Sequence, residues 1–283
     1  MNPLFLNTVL LGGDTKAKLA AASEAGFDQI ELWTSDVAAL DGGAAATRAL
    51  AATLQIGFTD YQVLLDFDGA PGDKREVKRA EALAMLDTAA EIGIDTVLVP
   101  ASTDPACDRA RIGDDLAWLV DQARLRGRRI AYEGMAWSSV NATFAAAWEA
   151  IRGFDPAHAG LVLDSFHLFV RDEDETVIDA VPVDRIFLAQ FSDVAHPVAL
   201  ADAKRIARHA RLLPGAGKLP LDRLARRLLG RGYVGPIGLE VFNDGLRARD
   251  PGPVARMAMD ALRRLLGRAE VQPADDNAAG SSR

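Results

Sequence analysis

Short apolar runs of strand length alternate with longer stretches of helical periodicity along the whole chain. The runs are Leu4 to Leu11, Phe27 to Leu32, Ile56 to Gln62, Thr96 to Pro100, Arg129 to Glu133, Gly160 to Asp164, Arg185 to Phe191 and Pro236 to Glu240. Between and after them lie Thr15 to Ala25, Ala44 to Leu54, Arg75 to Ile92, Gly113 to Arg126, Asn141 to Ile151, a short crossover, Ala199 to Ala210, Leu221 to Leu229 and Gly252 to Leu266. The runs lack clean polar alternation, as expected of strands buried on both faces. Glycine follows a helical stretch at Ala25-Gly26, Ile92-Gly93 and within Gly230 to Tyr233, where it stops one element before the next begins. About eight βα units predict an α/β fold, a single (β/α)8 TIM barrel. No linker divides the chain, so residues 1–270 form one domain, and the small polar segment 271–283 (QPADDNAAGSSR from Gln272) is expected to be a disordered tail.

Four runs carry a potential oxygen ligand at or next to their C-terminal ends: Glu133 in IAYEGMAW, Asp164 in GLVLDSFH, Gln190 in IFLAQFSD and Glu240 in IGLEVFND. A buried carboxylate or amide is costly unless compensated, and one shared divalent cation would compensate all four. Three acids and an amide suit Mg²⁺, Mn²⁺ or Co²⁺ better than a thiolate-type zinc site. The C-terminal ends of barrel strands form the active face, so residues on the fifth to eighth strands can meet there.

Each residue also has a plainer reading. Glu133 can pair with an arginine, Asp164 can cap a helix, and Gln190 can satisfy itself on backbone groups. His167, three residues after Asp164, is the candidate general base, against a purely structural histidine. Glu31 closes the IELW run as a structural acid, a substrate hydroxyl acceptor or part of the site. His209 and Arg211, in ARHARLLPGAG, either hold an anionic or hydroxylated substrate or end a solvated helix. Asp193 is either a loop cap or an acid that orients a neighbour, and PGAG at Pro214 to Gly217 is a turn. His158, His196 and Cys107 carry no assigned chemistry.

With 283 residues and 49% hydrophobic content, the chain can build a large core, and its net charge of −8 argues against nucleic acid or anionic membrane as a partner. The expected partner is a small-molecule substrate, with self-association into a homo-oligomer left open. One cysteine, no apolar run near ~18 residues and no N-terminal signal lead to a cytoplasmic expectation.

Together, AAGFDQIELW, YEGMAW, LDSFHL, IFLAQFSD, RHARLLPGAG, GYVGPIGLEVFNDGLR and Tyr61-Gln62 with DFDG resemble the xylose-isomerase-like barrel superfamily, and within it bacterial 3-dehydroshikimate dehydratases. The resemblance runs from about Val9 to Arg247. It implies metal ligands at Glu133, Asp164, Gln190 and Glu240, a catalytic histidine at His167 and substrate contacts from the loop carrying His209 and Arg211. The implied reaction is a metal-dependent dehydration giving protocatechuate, a carbon–oxygen lyase activity. Sugar or inosose isomerase, epimerase or dehydratase chemistry is the alternative, and a non-catalytic binding barrel a further one. Some relatives continue into a dioxygenase-like half; this chain ends soon after the barrel, so the dehydratase-type part alone is expected. Relatives usually read FQPFRDFEG where this chain reads YQVLLDFDG, placing Leu65 at an arginine position, and often carry a second acid where Thr34 stands. Leucine cannot pair with a substrate carboxylate.

Overall fold

In a computed structural model that describes residues 1–271, eight parallel strands close into a barrel in sequence order. They are β1 (Leu4–Asn7), β2 (Gln29–Trp33), β3 (Gly57–Gln62), β4 (Thr96–Pro100), β5 (Arg129–Glu133), β6 (Ala159–Asp164), β7 (Ile186–Phe191) and β8 (Ile237–Leu239). β1 pairs with β8 to close the ring. Residues 272–283, most of the expected tail, lie outside the described residues. The fourth and fifth apolar runs match β4 and β5 at both ends. The first run does not: the strand stops at Asn7, whose side chain accepts from Val9 N and starts a 3-10 turn, Thr8–Leu10. The helix expected from Asn141 begins instead at Phe144, because the Thr143 hydroxyl caps it by accepting from Ala146 N.

Two layers of side chains fill the barrel interior near the active face. The lower is an apolar plug of Phe5, Leu98, Ala131, Val162, Phe187 and Leu188. Opposite strand faces, among them Leu6, Ile30, Val97, Ile130, Leu161 and Leu239, pack into the larger core under the helices. Gly238 belongs to the interior: a Cβ there would lie 2.3 Å from the Phe5 ring, so glycine makes room for the plug.

Strand side chains alternate, so the residue two places beyond each plug residue enters the interior one step nearer the C-terminal end. That step takes Phe5 to Asn7, Leu98 to Pro100, Ala131 to Glu133, Val162 to Asp164 and Leu188 to Gln190. By pairing, Asn7 sits beside Glu31, Pro100 beside Glu133, and Asp164 beside Gln190. A register shift in the β2–β3 ladder sets Asp60 opposite Glu31. The apolar plug is thus roofed by a polar layer supplied strand by strand.

Candidate active site

The polar layer holds five buried acids: Glu31, Asp60, Glu133, Asp164 and Glu240. Asn7 and Gln190 complete it, and both are buried. The cation among them is Arg211, which is 1% exposed. It follows the helix Leu200–His209 and reaches back into the barrel, donating from Nη1 to Asp164 Oδ2 at 2.7 Å. Nη1 also lies 3.2 Å from Glu240 Oε2 and 3.2 Å from the Glu240 carbonyl oxygen. Nε donates to the Ala207 carbonyl at 3.0 Å, and the guanidinium lies 4.6 Å from the Phe166 ring centre.

One arginine cannot neutralise five buried carboxyls, and the layer responds by holding protons. Burial, then the neighbouring charges of Glu240 and Asp164, push Glu133 well above the usual carboxylate range. Burial pushes Glu240 up to about 8. Asp164 is the exception: burial opposes its charge, but Arg211 beside it overrides this and holds the carboxyl below its ordinary value. On the far side of the layer, burial raises Asp60 to about 7 and raises Glu31 well above its ordinary value, with Asp60 adding repulsion. Glu31 Oε2 and both Asp60 oxygens are buried without a hydrogen-bond partner among the described residues, and a proton held between the two carboxyls would relieve their repulsion.

Several of these atoms have nothing to bond. Glu133 Oε1 and Gln190 Oε1 are buried without a hydrogen-bond partner among the described residues. Gln190 Nε2 donates to Glu31 Oε1 at 2.7 Å, which leaves the amide oxygen as its free end. Asn7 Nδ2 donates to Glu240 Oε1 at 3.0 Å, and Trp33 Nε1 in turn donates to Asn7 Oδ1 at 2.9 Å. Glu133, Asp164 and His167 offer potential ligand atoms within 4.8 Å of one another. Orphaned oxygens, five buried acids around one arginine and hard donors all fit a divalent cation, which would displace the held protons.

Above the layer opens a cavity of about 630 Å³, counting its open mouth. Its walls include Trp33, Val63, Leu65, Met135, Trp137 and Phe242, and its charged or ionisable lining is Glu133, His167, Arg208, Arg211 and Glu240. The size and the mix of apolar walls with few polar groups suit a small cyclic molecule.

His167 is held in one orientation. Trp137 meets its ring edge-on with centroids 4.9 Å apart, and Ala136 N donates to Nδ1 at 3.1 Å. A neutral imidazole accepts at one nitrogen only, so Nε2 carries the proton. Nε2 lies 3.6 Å from Asp164 Oδ2 and 3.9 Å from Glu133 Oε1. Burial lowers the ring to about 3 against the pull of Asp164, which keeps it neutral. A backbone amide thus takes Nδ1, and Nε2 is the nitrogen that faces the acids.

The other expected substrate contacts divide. Glu31 is fully buried below the cavity and holds Gln190 rather than lining the wall. His209 is turned outward, its side chain 58% exposed, with Nδ1 3.0 Å from Asp244 Oδ2. Arg211 lines the cavity but is committed to the acids. Asp193 is a loop cap: it accepts from Val194, Gly215, Gly217 and Leu219 N at 2.9–3.0 Å and fixes the PGAG turn after Arg211. A Cβ on Gly217 would lie 2.2 Å from the Val194 carbonyl, so that turn requires glycine. Sequence reading missed Asp60, hidden by the register shift, and Arg208, whose i, i+3 spacing from Arg211 was the available signal.

The family model for the xylose isomerase-like TIM barrel matches residues 19–265. The chain belongs to this family. Among family relatives, a Pseudomonas aeruginosa protein named 3-dehydroshikimate dehydratase is 38% identical over 263 residues, covering 92% of this chain and 40% of its own length. This chain thus spans about two fifths of the dehydratase it matches. A solved xylose isomerase-like TIM barrel/4-hydroxyphenylpyruvate dioxygenase fusion protein superposes with a TM-score of 0.87 at 34% identity, over 93% of this chain and 42% of that one. Fructoselysine 3-epimerase of Escherichia coli O157:H7 is 29% identical over 265 residues, covering 87% of this chain and 91% of its own. Among the described residues, no helix is long and apolar enough to cross a membrane.

Proposed function

We propose that this chain is a metal-dependent carbon–oxygen lyase that dehydrates 3-dehydroshikimate, or a closely similar cyclic hydroxyketone, to protocatechuate or its counterpart. The observation that carries the reading is the layer of buried acids with unbonded oxygens facing a small cavity, and the likeness to the Pseudomonas dehydratase supports the substrate class. Glu133, Asp164, Gln190 and Glu240 would hold the cation, with Mg²⁺, Mn²⁺ or Co²⁺ as the hard or borderline choices. When bound there, the cation supplies Lewis-acid polarisation of a carbonyl oxygen.

The chain's own residues do the rest. Glu133 has two oxygens, one of which would remain for proton transfer once a bound cation replaces the proton that the metal-free layer holds there. It takes the proton from the carbon beside the ketone and returns it to the neighbouring hydroxyl, which leaves as water, and the resulting cyclic dienone tautomerises to the aromatic ring by moving a ring proton to the ketone oxygen. The carboxylate is thereby regenerated and no redox partner is needed. His167 gives a fixed hydrogen bond from neutral Nε2 to an oxygen that gains charge as the proton leaves. Trp137 and Phe242 cover the ring.

A second reading, a sugar or inosose isomerase or epimerase, uses the same proton removal beside a carbonyl. The epimerase relative and the apolar Leu65 in the cavity wall favour it. Incubating divalent-metal-loaded protein with 3-dehydroshikimate and following protocatechuate absorbance separates the two, with keto-sugars and inososes as parallel substrates. Turnover only of the neutral substrates overturns the first reading.

A further inference from the structure

We propose that Arg208 receives the substrate carboxylate and so sets the preference for an acidic ring over a neutral one. The inference rests on the dehydratase reading above. A carboxylated substrate needs a cation at the cavity, and Leu65 supplies none where relatives carry arginine. Two lining residues are permanently cationic, Arg208 and Arg211. Arg211 is tied into the layer: Nε is on the Ala207 carbonyl and Nη1 on Asp164 and Glu240, which leaves Nη2, 3.4 Å from His167 Nε2, as its one nitrogen without an oxygen acceptor, while its charge already serves the buried acids. Turning it toward a ligand would strip Asp164 of its counter-charge deep in the barrel.

Arg208 is placed differently. It lies in the last turn of the helix Leu200–His209, beside Ala207, whose carbonyl holds Arg211. Its side chain is exposed at the cavity mouth, and among the described residues it makes no hydrogen bond or ion pair. A planar guanidinium matches a carboxylate with two parallel hydrogen bonds. The acids below repel an anion, so a free cation at the rim also decides which end of an acidic ring enters first. The carboxylate stays at the mouth and the hydroxyketone goes down.

The test compares 3,4-dihydroxybenzoate with catechol, which has the same diol and no carboxylate, by calorimetric titration of Mn²⁺-loaded protein. Wild type should prefer the acid by roughly tenfold or more. Arg208→Gln should bring the two ligands to within about twofold while leaving catechol affinity unchanged, and Arg208→Lys should restore part of the preference, as a point charge replaces the fork. Should Arg208→Gln keep the wild-type preference, the assignment is overturned and the dehydratase reading stands. Should wild type show no preference for the acid, the carboxylated-substrate reading itself fails and the assignment goes with it. Because the side chain is exposed and unbonded, the variants should melt with wild type, and a matched melting curve verifies that they are folded.

Discussion

Arg211→Met tests whether the arginine is the counter-charge of the acid layer. The substitution keeps much of the side-chain length and removes the charge. It breaks the 2.7 Å bond to Asp164 and the contacts to Glu240 and Ser192, all at buried positions. Removing one partner of a buried ion pair costs roughly 3–5 kcal/mol, because the other charge is left behind. In a domain of this size about 2 °C is lost per kcal/mol, so the metal-free variant should melt roughly 6–10 °C lower. The comparison is Arg227→Met, which removes a half-exposed pair with Asp179 and should cost at most about 1 kcal/mol. The deficit also has a pH signature. In wild type, Arg211 depresses the Asp164 carboxyl, so this pair's stabilisation is present above the unfolded carboxylate value and is lost as pH falls through the folded one. The variant's deficit should therefore be largest near neutrality and shrink below about pH 4. Mn²⁺ should recover part of it by replacing the lost positive charge. Thermal melts by circular dichroism, with and without Mn²⁺, would measure all three effects. A metal-free Arg211→Met protein melting within the range of the surface control at pH 7 would refute the reasoning.

Asp60 is raised to about 7 in the folded protein, above its unfolded value, so its contribution to metal-free stability is complete below about 4 and lost as pH rises through 7. Asp60→Asn offers Glu31 a permanent donor and should flatten the fall in denaturant-measured stability between pH 5 and 8; an unchanged slope removes the shared proton. His167→Asn should cut turnover by on the order of 10²-fold while the substrate's proton beside the carbonyl still exchanges with deuterium oxide. Glu133→Gln should abolish exchange and turnover together, whereas loss of exchange in His167→Asn alone would return the base role to the histidine. Leu65→Arg places a third cation on the cavity wall and should tighten 3,4-dihydroxybenzoate by about tenfold with little change for catechol. Equal gains for both ligands would show that charge is not what the position lacks.

The barrel was legible because buried parallel strands write themselves as short apolar runs, and the proposed ligands because each closes such a run with a group that dislikes burial. Glu133, Asp164, Gln190 and Glu240 need only strand alternation to be placed. Asp60 needs more, since the irregular β2–β3 ladder shifts the pairing that would reveal it. Arg211 was legible as a cation near the site but not as a partner of the acids, because that role depends on a loop turning back into the barrel under the hold of Asp193. His209 shares the motif and faces outward, a difference of rotation about one short helix that composition cannot express. The orientation of His167 hangs on a single backbone N–H from a different strand's loop, Ala136, a contact that residue type alone does not reveal.

The separation between apolar plug and polar roof has a consequence for how such a protein changes over time. The plug residues Phe5, Leu98, Ala131, Val162, Phe187 and Leu188 are apolar and buried, while the proposed ligands Glu133, Asp164 and Gln190 stand two residues beyond Ala131, Val162 and Leu188 on the same strands. Exchanging a roof side chain leaves the plug's burial untouched, and where two roof side chains bond across strands, as Asn7 does to Glu240 and Gln190 to Glu31, the pair changes together. New chemistry can therefore be tried one strand or one bonded pair at a time on an unaltered foundation, with the rim arginines and wall residues selecting which molecule meets it.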